Sequence, residues 1–225
     1  MDQGIPRTFK LLVTTDNPHL LRPVVHFGAP LVSARAVVVL IHGRGQSPDY
    51  MREFFAERLD CTDVAYVAPT AADNTWYPYS FLSPLTDNHR GLENTLQCMS
   101  VLQDTLLDQG IAPGQIIWCG FSQGACVVSQ FVSLNPHRWG GLIALTGGLI
   151  GPQGTTWPIT GDFDGMPAYF TTSESDPHVP EDRVRDTASV FARAGASVSV
   201  EFFLGRPHEI NNAEINRSKF IVASC

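Results

Sequence analysis

Long apolar runs and clusters of basic residues are both missing from this sequence of 225 residues. No apolar run approaches the ~18 residues needed to span a bilayer, so stable insertion into a membrane is not expected. The 15 Lys and Arg residues are outnumbered by 22 Asp and Glu, which gives a net charge of −7. That balance argues against nucleic acid or an anionic membrane surface as the main partner. The first residues, MDQGIPRTFK, have no apolar segment behind a basic start, which predicts a cytoplasmic protein without a signal peptide.

Cysteine is too scarce and too scattered for a disulfide framework or a zinc site. There are five cysteines, an odd number, and most of them lie inside apolar patterns. We interpret them as reduced packing residues, and we expect no metal and no cofactor. The absence of a linker rich in Pro or Ser predicts that residues 1–225 form a single domain. The cysteines are Cys61, Cys98, Cys119, Cys126 and Cys225.

Apolar segments typical of strands alternate with segments of helical periodicity along the whole chain. The strongest strand, AVVVLIHG at 36–43, is a continuous run of apolar residues, as expected for a strand buried on both faces. A short segment separates residues 9–15 from 23–28, which predicts an antiparallel opening pair. The rest of the alternation predicts an α/β protein with a mostly parallel central sheet and helices on both faces. Further strands are expected at 64–69, 116–121, 141–148, 167–175 and 197–205, and helices at 86–109, at 180–194 and after positions 47, 122 and 208.

Positions 116 to 127, IIWCGFSQGACV, place one serine between two glycines at the junction of a predicted strand and a predicted helix. A serine at such a turn has a strained backbone that exposes its hydroxyl group, as a nucleophile requires. Gly120 and Gly124 lack the β-carbons that would collide where the helix folds back on the strand. The same frame also occurs by chance as a glycine-rich turn. Ser122 is therefore a candidate nucleophile that needs a base, an acid and an oxyanion hole.

The candidate base is a histidine near the end of the chain. A serine hydroxyl becomes a useful nucleophile only when a base accepts its proton. Of the seven histidines, His208 follows the last predicted strand, at the edge of the sheet where the Ser122 turn must open. Five others are expected to be structural (His26), part of another motif (His42) or solvated (His19, His89 and His137).

Asp176 is the candidate acid because it follows the strand predicted at 167–175, at its carboxyl end. Functional groups of open parallel sheets gather at that edge. Asp162 and Asp164 are its rivals, but they precede the same strand and so belong at the opposite edge. His178 follows Asp176 too closely to reach across to the serine, and we expect it at the rim of the pocket.

Two backbone N–H groups are expected to form the oxyanion hole. One belongs to Gln123, directly after the nucleophile and at the positive end of its helix. The other belongs to Arg44, in the LIHGRGQSP segment at 40–48. The flanking Gly43 and Gly45 let this backbone approach the substrate closely.

With these residues identified, the chain resembles the phospholipase/carboxylesterase family of α/β-hydrolases, which includes the acyl-protein thioesterases. The resemblance spans about residues 36 to 210 and implies the α/β-hydrolase fold, without a large lid, and the catalytic order Ser122, Asp176, His208. It is closest to the small bacterial carboxylesterases, in which HGRG replaces the HGLG-like loop of eukaryotic thioesterases. The matching segments are LIHGRGQ, NTWYPYSF, GFSQGA, LTGGLIG and SDPHVPEDRV.

The resemblance implies hydrolysis of carboxylic esters through an acyl-enzyme, with a small-molecule ester as the partner and a homodimer left open. Arg44 would bring charge to a place where long acyl chains usually meet apolar side chains, which favours short-chain or aryl esters. The alternative is an acyl-protein thioesterase or lysophospholipase that acts on long acyl chains. The candidate substrate-binding residues, all expected at the edge of the sheet that holds the serine, are Trp76, Tyr77, Leu149, Ile150 and His178.

Two other classes fit parts of the pattern. A non-catalytic member of the same fold would bind a small ligand and need no triad, whereas all three triad residues are present here. A dienelactone-hydrolase-like enzyme would prefer a cysteine at the elbow, and Cys119 and Cys126 flank Ser122 outside the nucleophile position. The sequence therefore favours a serine ester hydrolase.

Overall fold

One sheet of seven strands forms the centre of the computed structural model, which describes residues 16–225. The strands are β1 (Val24–Gly28), β2 (Ala36–Ile41), β3 (Val64–Pro69), β4 (Ile116–Phe121), β5 (Gly141–Leu145), β6 (Pro167–Ser173) and β7 (Ser197–Phe203). They lie in the order β1-β3-β2-β4-β5-β6-β7, and each neighbouring pair is parallel except β1 with β3. The mostly parallel sheet predicted from the sequence is confirmed.

The sheet separates two layers of apolar core, and alternate side chains of each central strand face opposite layers. In β2, whose residues are all buried, Val37 and Val39 belong to one layer, and Val38 and Leu40 belong to the other. A strand covered on both sides needs apolar residues at every position. This need explains the continuous apolar run that the sequence shows there.

Helices cover both layers, as predicted. The helices are α1 (Pro48–Met51), α2 (Glu57–Leu59), α3 (Leu85–Asp108), α4 (Gln123–Leu134), α5 (Glu181–Arg193) and α6 (Asn212–Ala223). The first layer is closed by α3, α4 and α5, which contribute residues such as Met99, Phe131 and Phe191. The second layer is closed by α1, α2 and α6, through residues such as Met51 and Ile215. A π-helical turn at Arg52–Ala56 joins α1 to α2.

The predicted opening pair of strands is only partly covered by the structure. The segment at 9–15 lies outside the described residues. The segment at 23–28 forms β1, and its partner in the structure is β3, with Val24 opposite Pro69 and Gly28 opposite Ala65. β2 takes the interior position between β3 and β4, which agrees with its apolar sequence.

The carboxyl ends of the parallel strands meet at one edge of the sheet, and the candidate residues follow them. Ser122 comes directly after β4, Asp176 comes shortly after β6, and His208 lies in the loop after β7. No large lid covers this edge in the described part of the chain. Among residues 16–225, every helix is too short or too polar to cross a membrane.

Candidate active site

Ser122 occupies a strained turn between β4 and α4. Its backbone angles are φ 54° and ψ −118°, and a positive φ is unfavourable for a residue with a side chain. The turn is held on both sides, because the Ser122 N–H donates to the carbonyl oxygen of Leu145 (2.9 Å) and its own carbonyl accepts from the N–H of Cys126 (3.1 Å). These bonds fix the strained conformation that presents the hydroxyl group above the sheet edge.

The two glycines of the elbow are needed for close backbone approach. A β-carbon on Gly120 would collide with the backbone of Gly124, which is the predicted contact between strand and helix. A β-carbon on Gly124 would collide with the carbonyl oxygen of Ile41 and lie 2.7 Å from that of His42. The second glycine therefore also lets α4 approach the end of β2, a contact that the sequence did not suggest.

Ser122, His208 and Asp176 form a continuous chain of hydrogen bonds. The distance from Ser122 Oγ to His208 Nε2 is 2.8 Å, and His208 Nδ1 lies 2.7 Å from Asp176 Oδ2. A carboxylate can only accept, so the imidazole carries its proton on Nδ1 and offers the lone pair of Nε2 to the serine. This is the arrangement in which an imidazole can remove a proton from a hydroxyl group.

The carboxyl group of Asp176 is kept ionised by its surroundings. Burial alone would raise its pKa, but hydrogen bonds from His208 and from the N–H groups of His178 and Val179 outweigh this effect, so the pKa is lowered. Its side chain is fully buried. The rival Asp162 lies on the loop before β6, where its side chain accepts a hydrogen bond from the N–H of Asp164.

His178 and His19 are not part of the hydrogen-bond chain that begins at Ser122. His178 is exposed at the rim, and its ring packs edge-on against that of His208 with centroids 5.3 Å apart. His19 was expected to be solvated, and this is wrong. It is buried, its Nδ1 accepts from the N–H of Ala72 (3.0 Å), and burial lowers its pKa.

The loop after β2 reaches the nucleophile, and a buried histidine fixes its start. His42 Nε2 accepts a hydrogen bond from the N–H of Ala71 (3.1 Å), so its Nδ1–H donates to the carbonyl oxygen of Gly43 (2.8 Å). Burial lowers the pKa of His42 and thus favours this neutral form. A β-carbon on Gly43 would lie 3.2 Å from Cβ of Ser122. This close approach brings the next residue, Arg44, beside the nucleophile.

Both the backbone N–H and the side chain of Gln123 are placed for separate contacts at the start of α4. Its backbone N–H belongs to the first helical turn, where N–H groups have no partner within the helix. Its buried side chain accepts a hydrogen bond from the N–H of Trp76 (3.0 Å) and donates one to the carbonyl oxygen of Tyr77 (2.8 Å). The residue after the nucleophile therefore also holds the loop that follows β3, which we call the aromatic loop (residues 76–82).

The side chain of Arg44 holds the same loop from the other side. Its guanidinium donates to three successive carbonyl oxygens, those of Tyr77 (2.9 Å), Pro78 (2.7 Å) and Tyr79 (2.7 Å). The sequence analysis expected its charge to lie where an acyl chain would bind, but most of the donors of this group are engaged by the protein backbone. Both residues expected to supply oxyanion N–H groups thus fix the position of one shared loop.

Replacing Arg44 with lysine is expected to lower kcat by about 10- to 100-fold, with a smaller change in KM. Lysine keeps the charge but cannot donate to three carbonyl oxygens in a fixed fork, so both the aromatic loop and the adjacent N–H would shift. Steady-state kinetics on an acetate ester test this. Arg35→Lys is the matched control, because Arg35 donates to the carbonyl oxygen of Val222 far from this edge. Equal kcat values in the two variants would contradict the proposed role of Arg44.

A cavity of about 560 Å³ opens beside the serine. It is lined by Arg44, residues 77–82, Ser122, Gln123, Cys126, residues 177–179 and His208. Of the substrate-binding candidates, Tyr77 and His178 line this cavity. Its polar groups converge on Ser122, and the remaining wall is mainly aromatic and aliphatic, as in small-molecule sites.

Trp76, Leu149 and Ile150 do not line the cavity, contrary to the expectation from sequence. Trp76 is fully buried beneath the loop that follows β2, where its indole N–H donates to the carbonyl oxygen of His42 (2.9 Å). Leu149 and Ile150 are buried in the core below the wall. Phe81, from the aromatic loop, lines the cavity, whereas these two residues do not.

A buried ion pair that sequence reasoning missed lies behind His208. Arg206 and Glu214 are almost fully buried and approach to 2.9 Å, and Arg206 also donates to the hydroxyl oxygen of Thr146 (2.6 Å). Burial raises the pKa of Glu214. The ion pair ties the loop of His208 to the ends of neighbouring strands. The available signal was N-x-x-E at the start of α6, since Asn211 and Glu214 form a capping box.

The chain is similar to known proteins in both sequence and structure. A family model described as Phospholipase/Carboxylesterase matches residues 28–224. A crystal structure of a phospholipase/carboxylesterase from Dyadobacter fermentans is 35% identical, with a TM-score of 0.83, and the match covers 90% of this chain and 96% of that one.

Curated relatives are more distant. A probable carboxylesterase of Oryza sativa is 26% identical over 209 residues, which cover 83% of this chain and 78% of the relative. Acyl-protein thioesterase 1 of Kluyveromyces lactis is 25% identical over 130 residues. That match covers 51% of this chain and 57% of the thioesterase, little more than half of its length.

Proposed function

The chain belongs to the phospholipase/carboxylesterase family and is therefore an ester hydrolase, and we propose that it hydrolyses short-chain or aryl carboxylic esters through Ser122, His208 and Asp176. The observation that carries the proposal is the unbroken hydrogen-bond chain from Ser122 to Asp176 at the base of the cavity. A small-molecule ester is the corresponding partner.

The proposed reaction begins with attack by Ser122 Oγ on the ester carbonyl carbon, while His208 Nε2 takes the hydroxyl proton. Asp176, ionised and bonded to Nδ1–H, stabilises the imidazolium that forms. The negative charge that develops on the carbonyl oxygen is met by the backbone N–H groups of Arg44 and Gln123. When the intermediate collapses, His208 returns its proton to the departing alcohol, and an acyl group remains on Ser122.

Water then hydrolyses the acyl-enzyme with the help of the same residues. His208 removes a proton from a water molecule, whose oxygen attacks the acyl carbon, and the same oxyanion donors meet the charge again. Collapse returns the proton from His208 to Ser122 Oγ and releases the carboxylic acid. The side chain of His208 is 23% exposed, so water can reach the imidazole.

The shape of the cavity supports a small acyl group. Its volume of about 560 Å³ is in the usual range of small-molecule sites. The wall includes Tyr77 and Phe81, which are only 2% and 6% exposed, and the buried Val179. Rigid aromatic rings hold a small apolar group with little loss of side-chain entropy. A long acyl chain would need a groove that continues past these side chains.

The second candidate function is hydrolysis of long-chain acyl thioesters. It is favoured by the names of three relatives, each of which is an Acyl-protein thioesterase 1. The feature of this chain that opposes it is Arg44, a charged side chain at the cavity, where a thioesterase of this type would benefit from apolar contacts.

A substrate panel separates the two. We expect kcat/KM to be highest for acetyl or butyryl p-nitrophenyl esters and to fall for octanoyl and palmitoyl esters, because the cavity wall limits the acyl chain. The same acyl series is measured as thioesters. An optimum at octanoyl or longer, or a clear preference for the thioesters at every length, would replace the short-ester proposal with the thioesterase.

A further inference from the structure

Arg183 is a buried cation that lies between two aromatic rings. It belongs to the first turns of α5 and is only 6% exposed. Its Cζ lies 5.7 Å from the ring centre of Phe81 and 4.9 Å from that of Trp157. Both distances are within the range of cation–π attraction. The guanidinium therefore contacts both rings.

The two rings belong to two different cavities. Phe81 lines the cavity beside Ser122. Trp157 lines a second cavity, also of about 560 Å³, which lies between residues 155–159 and α5. Since the guanidinium contacts both rings and lines neither cavity, it occupies the wall between them.

The position of this guanidinium is set by the loop after β5. It donates to the carbonyl oxygens of Leu149 (2.8 Å), Gly151 (2.7 Å) and Pro152 (3.2 Å). The N–H of Gly151 in turn donates to the carbonyl oxygen of Phe81 (2.8 Å). The cation and the wall residue are thus fixed to the same loop, and neither can move without breaking hydrogen bonds.

We propose that Arg183 is a specificity-determining residue that sets the maximum acyl length by closing the active-site cavity off from the second one. The inference rests on the proposed ester hydrolysis. An acyl chain that extended past Phe81 would have to displace a hydrogen-bonded cation from three carbonyl oxygens. That displacement would break several charge-assisted hydrogen bonds, and the burial of a few methylene groups does not offset their loss. Short acyl groups end before this barrier and are not affected.

The test is the acyl-length profile of Arg183→Met. Methionine is apolar and flexible and cannot donate hydrogen bonds to the carbonyl oxygens. A long acyl chain bound at Ser122 should therefore be able to displace it. We expect the ratio of kcat/KM for octanoyl over acetyl p-nitrophenyl ester to rise at least about tenfold, with the acetyl rate itself nearly unchanged. Arg185→Met is the matched control, because Arg185 lies on the same helix but packs over Phe202 and pairs with Glu181.

Loss of folding is the main risk, because three buried carbonyl oxygens lose a donor. Circular dichroism checks each variant, and Arg183→Gln, which retains an amide donor without the charge, is measured alongside. It should shift the ratio in the same direction by a smaller factor. An unchanged ratio in a folded variant overturns the role of Arg183, as does an equal shift in Arg185→Met. If the wild type itself fails to hydrolyse the acetyl ester, the proposed function is what fails.

Discussion

Ser122→Ala is expected to lower kcat for ester hydrolysis by roughly five to six orders of magnitude while the fold remains intact. The hydroxyl oxygen lies 2.8 Å from His208 Nε2, and we propose that it is the atom that forms the acyl-enzyme. Alanine removes it without disturbing the backbone bonds to Leu145 and Cys126 that hold the turn. The proposed oxyanion donors and the cavity would stay in place, so we expect the variant to remain somewhat faster than the uncatalysed reaction in water.

Two measurements make this prediction specific. The wild type is treated with a serine-directed organophosphorus reagent, and mass spectrometry should find the adduct on Ser122 and no adduct in the alanine variant. Ser129→Ala is the matched control, because Ser129 lies on the same helix but is buried away from the cavity, with its hydroxyl group bonded to the carbonyl oxygen of Ala125. An adduct on another residue would show that the nucleophile has been misassigned.

Asp176→Asn is expected to lower kcat by about 10⁴-fold. The amide oxygen can keep the two hydrogen bonds from the N–H groups of His178 and Val179, which leaves the amide nitrogen facing His208 Nδ1. That nitrogen is a donor, so the imidazole must present an unprotonated Nδ1 and carry its proton on Nε2. In this tautomer Nε2 cannot accept the proton of Ser122, although every heavy atom stays in place.

The matched controls for this substitution are Asp162→Asn and Asp164→Asn. Both residues are exposed on the loop before β6, at the opposite edge of the sheet. We expect kcat within about twofold of the wild type for each, since surface changes away from the site rarely matter. A large loss in either control, with Asp176→Asn still active, would mean that the carboxylate partner of His208 has been misassigned.

The parts of the molecule that sequence could predict are those set by local pattern and chain order. β2 and β4 are apolar at every position because both faces are covered, and that pattern is visible without a structure. The same reasoning places Ser122, Asp176 and His208 at one edge, because each follows a strand of a mostly parallel sheet. The hydrogen-bond geometry among them then depends only on loops of a few residues.

The parts that sequence could not predict depend on which way a side chain turns within a loop. Trp76 and Phe81 are both aromatic residues of the segment after β3. Trp76 is nevertheless buried beneath the loop that follows β2, whereas Phe81 lines the cavity. Arg44 carries a charge that suggests a substrate contact, whereas its donors are used by backbone carbonyl oxygens. Arg206 and Glu214 are both buried, but the capping-box pattern that contains Glu214 indicates only where α6 begins and not that the pair is buried.

The strained turn at Ser122 has a consequence for anyone who tries to make this enzyme more robust. A side chain at φ 54° and ψ −118° costs roughly 1–3 kcal/mol, whereas glycine at this position would cost only about 0.4–1 kcal/mol through the extra freedom of the unfolded chain. A glycine at position 122 would thus tend to raise the melting temperature and abolish turnover together. Directed evolution that rewards heat resistance alone would drift toward such inactive proteins, and each round needs an activity screen to keep the nucleophile.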